Sequence, residues 1–297
     1  FSPSKRIMST KLSILVLVCM LAFGVLTRPT ARAQNATRAA SETVVFSIKK
    51  YPDSDTHLEP IVIIKGGKYT YPPVEEEVPS KQFTDTYFRV GRKYRMIFGG
   101  GDGGSVTVTK LIEPGCVGLL AQIDVESNVR LGGQVEALAV SNERIGTGVS
   151  SRRAPTESER TQALEVARTT YIQRKTPPAL LKKMNTVNLS AVDLDRDGKF
   201  EMIGGFTIPG ANMLAYNLFV IFEQTPAGKY RAAWNWYQKG SEETYEDRSL
   251  VDVVDLDGDG VAEVIAEGSY YESNDYVIYK RQAGTWRPIY KGGGGGC

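Results

Sequence analysis

The chain has 297 residues, 41% hydrophobic and 24% charged, with a formal net charge of +2. That make-up suits a globular chain with room for one large domain or two modest ones, and excludes a disordered or collagen-like one. Its single histidine, His57, excludes a histidine-built zinc site, and the near-neutral balance leaves no electrostatic footprint for nucleic acid.

At the front, Lys11 precedes an apolar run from Leu12 to Leu26, followed by the small-x-small triplet Ala31-Arg32-Ala33. A basic region, an apolar region and a cleavage site in that order read as a secretory signal peptide over residues 1–33, cut before Gln34. Met8 is the expected start, with residues 1–7 an upstream extension. The run is too short to cross a bilayer core about 30 Å thick, so no stable membrane span is expected after cleavage. Residues 1–33 hold Lys5, Arg6, Lys11, Arg28 and Arg32 and no acid, which leaves 31 basic against 34 acidic residues, formally −3. The expected location is secreted or periplasmic. In an oxidising compartment the two remaining cysteines, Cys116 and Cys297, are expected to pair. An intermolecular bond and an appended glycine-linker cysteine are the alternatives.

Residues 41–149 read as an all-β domain, a small sandwich or barrel. Short β segments are bounded by turn residues: Val44–Ile48, Ile61–Ile64, Tyr87–Val90, Lys93–Phe98, Ser105–Thr109, Leu119–Val125 and Val135–Val140. The glycine-rich Gly99–Gly104 precedes an alternating segment, Ser105-Val106-Thr107-Val108, so it reads as a hairpin turn and not as a phosphate loop, which would open a helix. His57 reads as a loop residue without a special role.

Ser150–Pro155 reads as a polar interdomain linker. Linker helices are expected over 156–184, with Thr156 and Glu159 spaced for a capping box and Leu164, Ala167, Tyr171 and Ile172 on one face. A short turn over Ala179–Met184 follows Pro177-Pro178.

The sharpest signal is a nine-residue pattern that occurs twice. Asp193, Asp195, Asp197 and Glu201 stand at its first, third, fifth and ninth places, and Asp255, Asp257, Asp259 and Glu263 repeat them 62 residues later. Oxygen ligands on alternate residues around a glycine-kinked turn suit a hard divalent cation. An EF-hand would place an acid at the twelfth residue and a helix beyond. Here the twelfth residues are Gly204 and Ala266, and a strand-like segment follows each loop. The pattern resembles the FG-GAP or VCBS-type repeat of integrin alpha chains, over roughly Leu189–Tyr290. The resemblance implies two Ca2+ sites between strands of propeller blades. One would use Asp193, Asp195, Asp197, the Lys199 carbonyl and Glu201, the other Asp255, Asp257, Asp259, the Val261 carbonyl and Glu263. Two motif-bearing blades cannot close a seven-bladed ring, so the expected fold is mainly β, with a pair of calcium-loop, propeller-like repeats over 187–297.

No catalytic set accompanies these features. The function expected is that of an exported calcium-binding protein with a non-enzymatic protein- or surface-interaction role, its partner an unknown protein or a cell-surface glycan. The alternative is a carbohydrate-binding module or glycoside hydrolase using the aromatic-rich strands that carry Trp234, Trp236, Tyr237, Tyr270, Tyr271, Tyr276, Tyr279, Trp286 and Tyr290.

Overall fold

The computed structural model describes residues 42–50, 55–73, 77–115, 118–133 and 135–296. The signal-peptide expectation and both Cys116 and Cys297 lie outside the described residues. The fold is mainly β and builds as four successive layers.

The first layer is a barrel. Strands β1 (Thr43–Lys50), β2 (Thr56–Lys65), β3 (Lys68–Thr70), β4 (Lys93–Phe98), β5 (Gly101–Gly115), β6 (Gly118–Glu126) and β7 (Ala137–Val140) form one antiparallel sheet, in the order β1-β7-β4-β5-β6-β2-β3. Strand β1 also pairs with β2, which closes six of these strands on themselves. Alternation decides what goes inside: Val44, Phe46 and Ile48 point into the barrel with Met96, Val106, Val108 and Ala121, while Val45 points out. Both faces of β1 are covered, so its first seven residues are all buried. The Gly99-Gly100 turn joins β4 to β5 with φ of 57° and 73°, the left-handed pair that a tight hairpin of this twist requires.

The segment Tyr87–Val90, expected as a strand, is not one. A helix, α1 (Glu77–Tyr87), runs into it. Phe83 and Tyr87 stand one helical turn apart and, with Phe88, pack their rings on Phe46 to stopper the barrel. That contact joins residues some 40 positions apart, and local propensity carries no sign of it. His57 lies within β2, opposite Gln122, and not in a loop.

The next two layers are four-stranded antiparallel meanders. One is β8 (Asn185–Val192), β9 (Glu201–Pro209), β10 (Ala215–Gln224) and β11 (Tyr230–Gly240); the other is β12 (Asp247–Val254), β13 (Glu263–Ser269), β14 (Asn274–Gln282) and β15 (Thr285–Gly292). The β12–β15 sheet packs one face on the barrel exterior, where Val251, Val254, Ile265 and Ile278 meet Val45, Ile61, Val62 and Leu138. Its other face packs on β8–β11, where Val253, Val264, Val277 and Tyr279 meet Val192, Ile203, Phe219 and Ile221. The fourth layer, α2 (Glu157–Gln173), covers the far side of β8–β11 with Ala163, Ala167 and Tyr171.

This order explains why two blade-like sheets suffice. In a ring each sheet is covered by its neighbours. Here the barrel and α2 cover the two outer faces, and each large apolar side chain so buried is worth about 1.5–3 kcal/mol. No complete propeller ring is present among the described residues. Helix α2 begins as its sequence demands: Thr156 Oγ1 accepts from Glu159 N at 3.3 Å, and Glu159 Oε2 accepts from Thr156 N at 2.7 Å. Its buried face is rotated from the expected one, however, and Ile172 is exposed. The short turn after it is a 3-10 helix over Pro178–Lys183.

Ser150–Pro155 is not a free linker. Arg152 is buried and reaches all three sheets: Nε donates to Ser190 Oγ at 3.1 Å, and Nη1 donates to the carbonyls of Glu136 at 3.1 Å and Val251 at 2.7 Å. The glycine run near the C-terminus is likewise built into the fold. Gly293 and Gly294 have φ of 71° and 78°, and a Cβ on either would collide with the carbonyl of Ile61 or Asn274. Gly295 N donates to Asn274 Oδ1 at 3.1 Å, and Gly118 packs against Gly294 and Gly295.

Candidate metal centres

Each acidic loop is the turn between the first two strands of its sheet, residues 193–200 between β8 and β9 and residues 255–262 between β12 and β13. The two turns fold alike. Asp193 Oδ1 and Oδ2 accept from Asp197 N at 3.1 Å and Gly198 N at 3.0 Å, while Asp255 accepts from Gly258 N at 2.7 Å and Gly260 N at 3.0 Å. The fifth-place carboxylates also match: Asp197 takes Lys199 N at 2.8 Å and Asp259 takes Val261 N at 3.0 Å. The ninth-place glutamates close the turns, Glu201 on Leu194 N at 3.0 Å and Glu263 on Leu256 N at 2.8 Å.

The backbone explains the glycines. The sixth residues, Gly198 and Gly260, have φ of 85° and 89°; the fourth, Arg196 and Gly258, have 59° and 78°. Glycine adopts this region without cost, so Arg196 is the costlier solution to the same turn.

These turns gather carboxylates. One oxygen from each of Asp193, Asp195 and Asp197 lies within 4.8 Å of the others, and so do oxygens of Asp255, Asp257 and Glu263. Glu201 is not in the first group and Asp259 is not in the second. Ala262 N donates to Leu194 O at 2.8 Å, which ties the end of the second turn to the first.

No protein-family model, curated protein or solved structure matches this chain. What the loops do is therefore read from their electrostatics. Two carboxylates about 4 Å apart repel by about 4 kcal/mol at an effective dielectric near 20. Burial pushes Glu201 up to about 7; the Leu194 N–H pulls it back, and Asp195 and Asp193 add to the rise. Glu263, buried within the second loop, is also raised. Asp195 Oδ1 is buried without a hydrogen-bond partner among the described residues.

Both loops draw cationic side chains. Lys280 Nζ, from β14, sits among Asp257 Oδ2 at 2.6 Å, Asp259 Oδ2 at 2.7 Å and Glu263 Oε1 at 2.8 Å. Burial alone would lower its pKa, but those three carboxylates drive it well above the ordinary lysine value. In the first loop, Lys199 Nζ lies 2.5 Å from Asp197 and Arg281 Nη1 lies 3.4 Å from Asp195. The sequence reading missed Lys280 and Arg281; their one signal is an adjacent basic pair at the end of an otherwise aromatic and aliphatic strand. An all-oxygen, multi-carboxylate set of this kind fits a hard divalent ion such as Ca2+.

The aromatic residues divide between core and surface. Tyr276, Tyr279, Trp286 and Tyr290 are buried. Trp234 packs on Tyr279 at 4.4 Å between ring centroids, and Trp236 lies under the Arg248 guanidinium at 4.2 Å. Tyr271 is exposed.

Proposed function

We propose that this chain is an exported calcium-binding protein with a non-enzymatic protein- or surface-interaction role, each acidic loop holding one Ca2+. The observation that carries this reading is the recurrence of one carboxylate-gathering turn at the same place in two stacked sheets, each completed by a largely buried glutamate on the backbone of the loop's second residue. The resemblance of the motif to FG-GAP or VCBS-type repeats and the leader-like first 33 residues support it. Asp193, Asp195, Asp197, Glu201 and the Lys199 carbonyl would hold the first ion. Asp255, Asp257, Asp259, Glu263 and the Val261 carbonyl would hold the second. Bound calcium supplies charge that turns carboxylate repulsion into attraction, and in the second loop it competes with Lys280 Nζ for the same oxygens.

Calcium at tenfold its Kd should stabilise the fold by about 1.4 kcal/mol per site, a rise of several degrees in Tm over the EDTA-treated protein. Asp193→Asn and Asp255→Asn should each remove about half of that rise. Absence of a shift with both Ca2+ and Mg2+ refutes the reading.

Once the leader is cut away, an exported chain keeps two cysteines, which favours a Cys116–Cys297 disulfide. Mass mapping of non-reduced proteolytic fragments is expected to find the two cysteine peptides linked within one chain. Free thiols or an interchain link would contradict this.

A further inference from the structure

A cleft of about 630 Å³ opens beside the second acidic loop, where the β2–β3 turn, the segment 142–148, Arg196 and residues 255–260 meet. Its charges are unequally committed. Both oxygens of Asp255 are engaged by Gly258 N and Gly260 N, and Asp257 is engaged by Lys280 Nζ at 2.6 Å. Arg144 and Arg196 also line the cleft, and neither guanidinium has an acceptor or an ion-pair partner among the described residues. The lining's formal charges balance, two arginines against two aspartates, and the guanidinia are the pair left without a protein partner among the described residues.

The arginines are mounted on ordered backbone. Arg144 N donates to Asn142 Oδ1 and Asn142 Nδ2 to Thr43 Oγ1, both at 3.2 Å. Gly148 O accepts from Asp102 N at 2.8 Å, fixing the far end of the same segment to the barrel. The Arg196 guanidinium approaches Gly148 with its Nη1–Nη2 edge: a Cβ there would stand 2.5 Å from Nη2, 2.8 Å from Nη1 and 3.0 Å from Cζ. The remaining lining is Asn142, threonine hydroxyls, glycine backbone and a few aliphatic side chains, with no aromatic ring among the described residues. A polar cleft of this volume exceeds what a bare inorganic anion fills, and planar guanidinia match the two oxygens of a carboxylate.

We propose that this cleft binds an acidic sugar, its carboxylate on Arg144 and Arg196 and its hydroxyls on the threonines and exposed loop backbone. The proposal borders the calcium reading but does not rest on it, because both guanidinia are unpaired whatever the loop holds.

Isothermal titration calorimetry with digalacturonate, maltose and sulfate, in calcium and again in EDTA, tests this. Digalacturonate should bind saturably, and Arg144→Gln and Arg196→Gln should each weaken it at least tenfold. Gly148→Ala should weaken it similarly, since the added methyl's three nearest neighbours are all guanidinium atoms of Arg196, which must shift. The proposal is overturned if digalacturonate fails to bind in both buffers, if maltose or sulfate binds as tightly, or if all three variants bind like the parent. Uronate binding that persists in EDTA without any calcium-dependent Tm shift would remove the calcium reading and keep this one. A calcium shift without uronate binding does the reverse.

Discussion

Replacing Arg152 with alanine should destabilise the protein by about 3–5 kcal/mol, more than any single change in the exposed parts of the acidic loops. The reason is the charge left behind. Arg152 Nη1 lies 3.3 Å from Asp252 Oδ1, and the two side chains are 3% and 0% exposed. Asp252 also accepts from Gly99 N through both oxygens at 3.0 Å, so the carboxylate is held in place with or without its partner. Burial already pushes Asp252 up to about 6 even beside the guanidinium. Without Arg152 an ionised Asp252 faces only the backbone amides of Gly99 and Val253 in a dry interior, while the freed carbonyls of Val251 and Glu136 and the Ser190 hydroxyl lose a donor. For a unit of this size the loss corresponds to a Tm fall of roughly 6–20 °C. Combining Arg152→Met with Asp252→Asn should recover much of it, because no buried charge then remains. A cost below about 1 kcal/mol for Arg152→Ala, read from urea denaturation, would contradict this account.

How legible the molecule was depended on how far apart in sequence the interacting residues lie. Features set within about ten residues could be read directly: the barrel strands β4 and β6, the Gly99-Gly100 turn, the Thr156 capping box, and the two acidic turns with their glycines. Features set by distant partners could not. Ser150–Pro155 looks like a linker because Arg152 is polar, yet Arg152 is bound to Val251 across 99 positions. Helix α1 has no strong apolar stripe of its own and takes its place from Phe46. The sequence signals the strand after each acidic loop, but not the strand before it, β8 or β12, that makes the loop a hairpin turn. For the candidate site the sequence showed the acids but not their counter-charges. Lys280 lies 21 residues from Asp259 and 17 from Glu263, on a strand of its own.

The same distance rule hid an ionic cluster between the barrel and the β12–β15 sheet, and its titration gives the second large effect. Lys49 Nζ pairs with Glu59 at 2.9 Å and with Glu267 at 2.5 Å, the latter 218 positions away. Tyr276 OH also donates to Glu59. Glu136 stands beside them with Oε2 buried and without a hydrogen-bond partner among the described residues. Burial pushes Glu136 up to about 8; Glu267 adds to the rise and Lys49 and Arg152 oppose it. The sign follows from linkage. Below about pH 4.5 the folded and unfolded chains both carry this proton, so stability is unaffected. Between there and pH 8 the unfolded chain releases the proton while the folded one keeps it, and stability falls as pH rises. Glu136→Gln removes that titration. The variant should match the parent near pH 5 and exceed it at pH 8.5 by on the order of 2–4 kcal/mol, the proton being shared with Glu267. Thermal unfolding from pH 5 to 9 should therefore show the parent's Tm declining and the variant's curve flatter. Parallel profiles would mean that Glu136 is ionised in the folded state at neutral pH, with Lys49 and Arg152 compensating it in full.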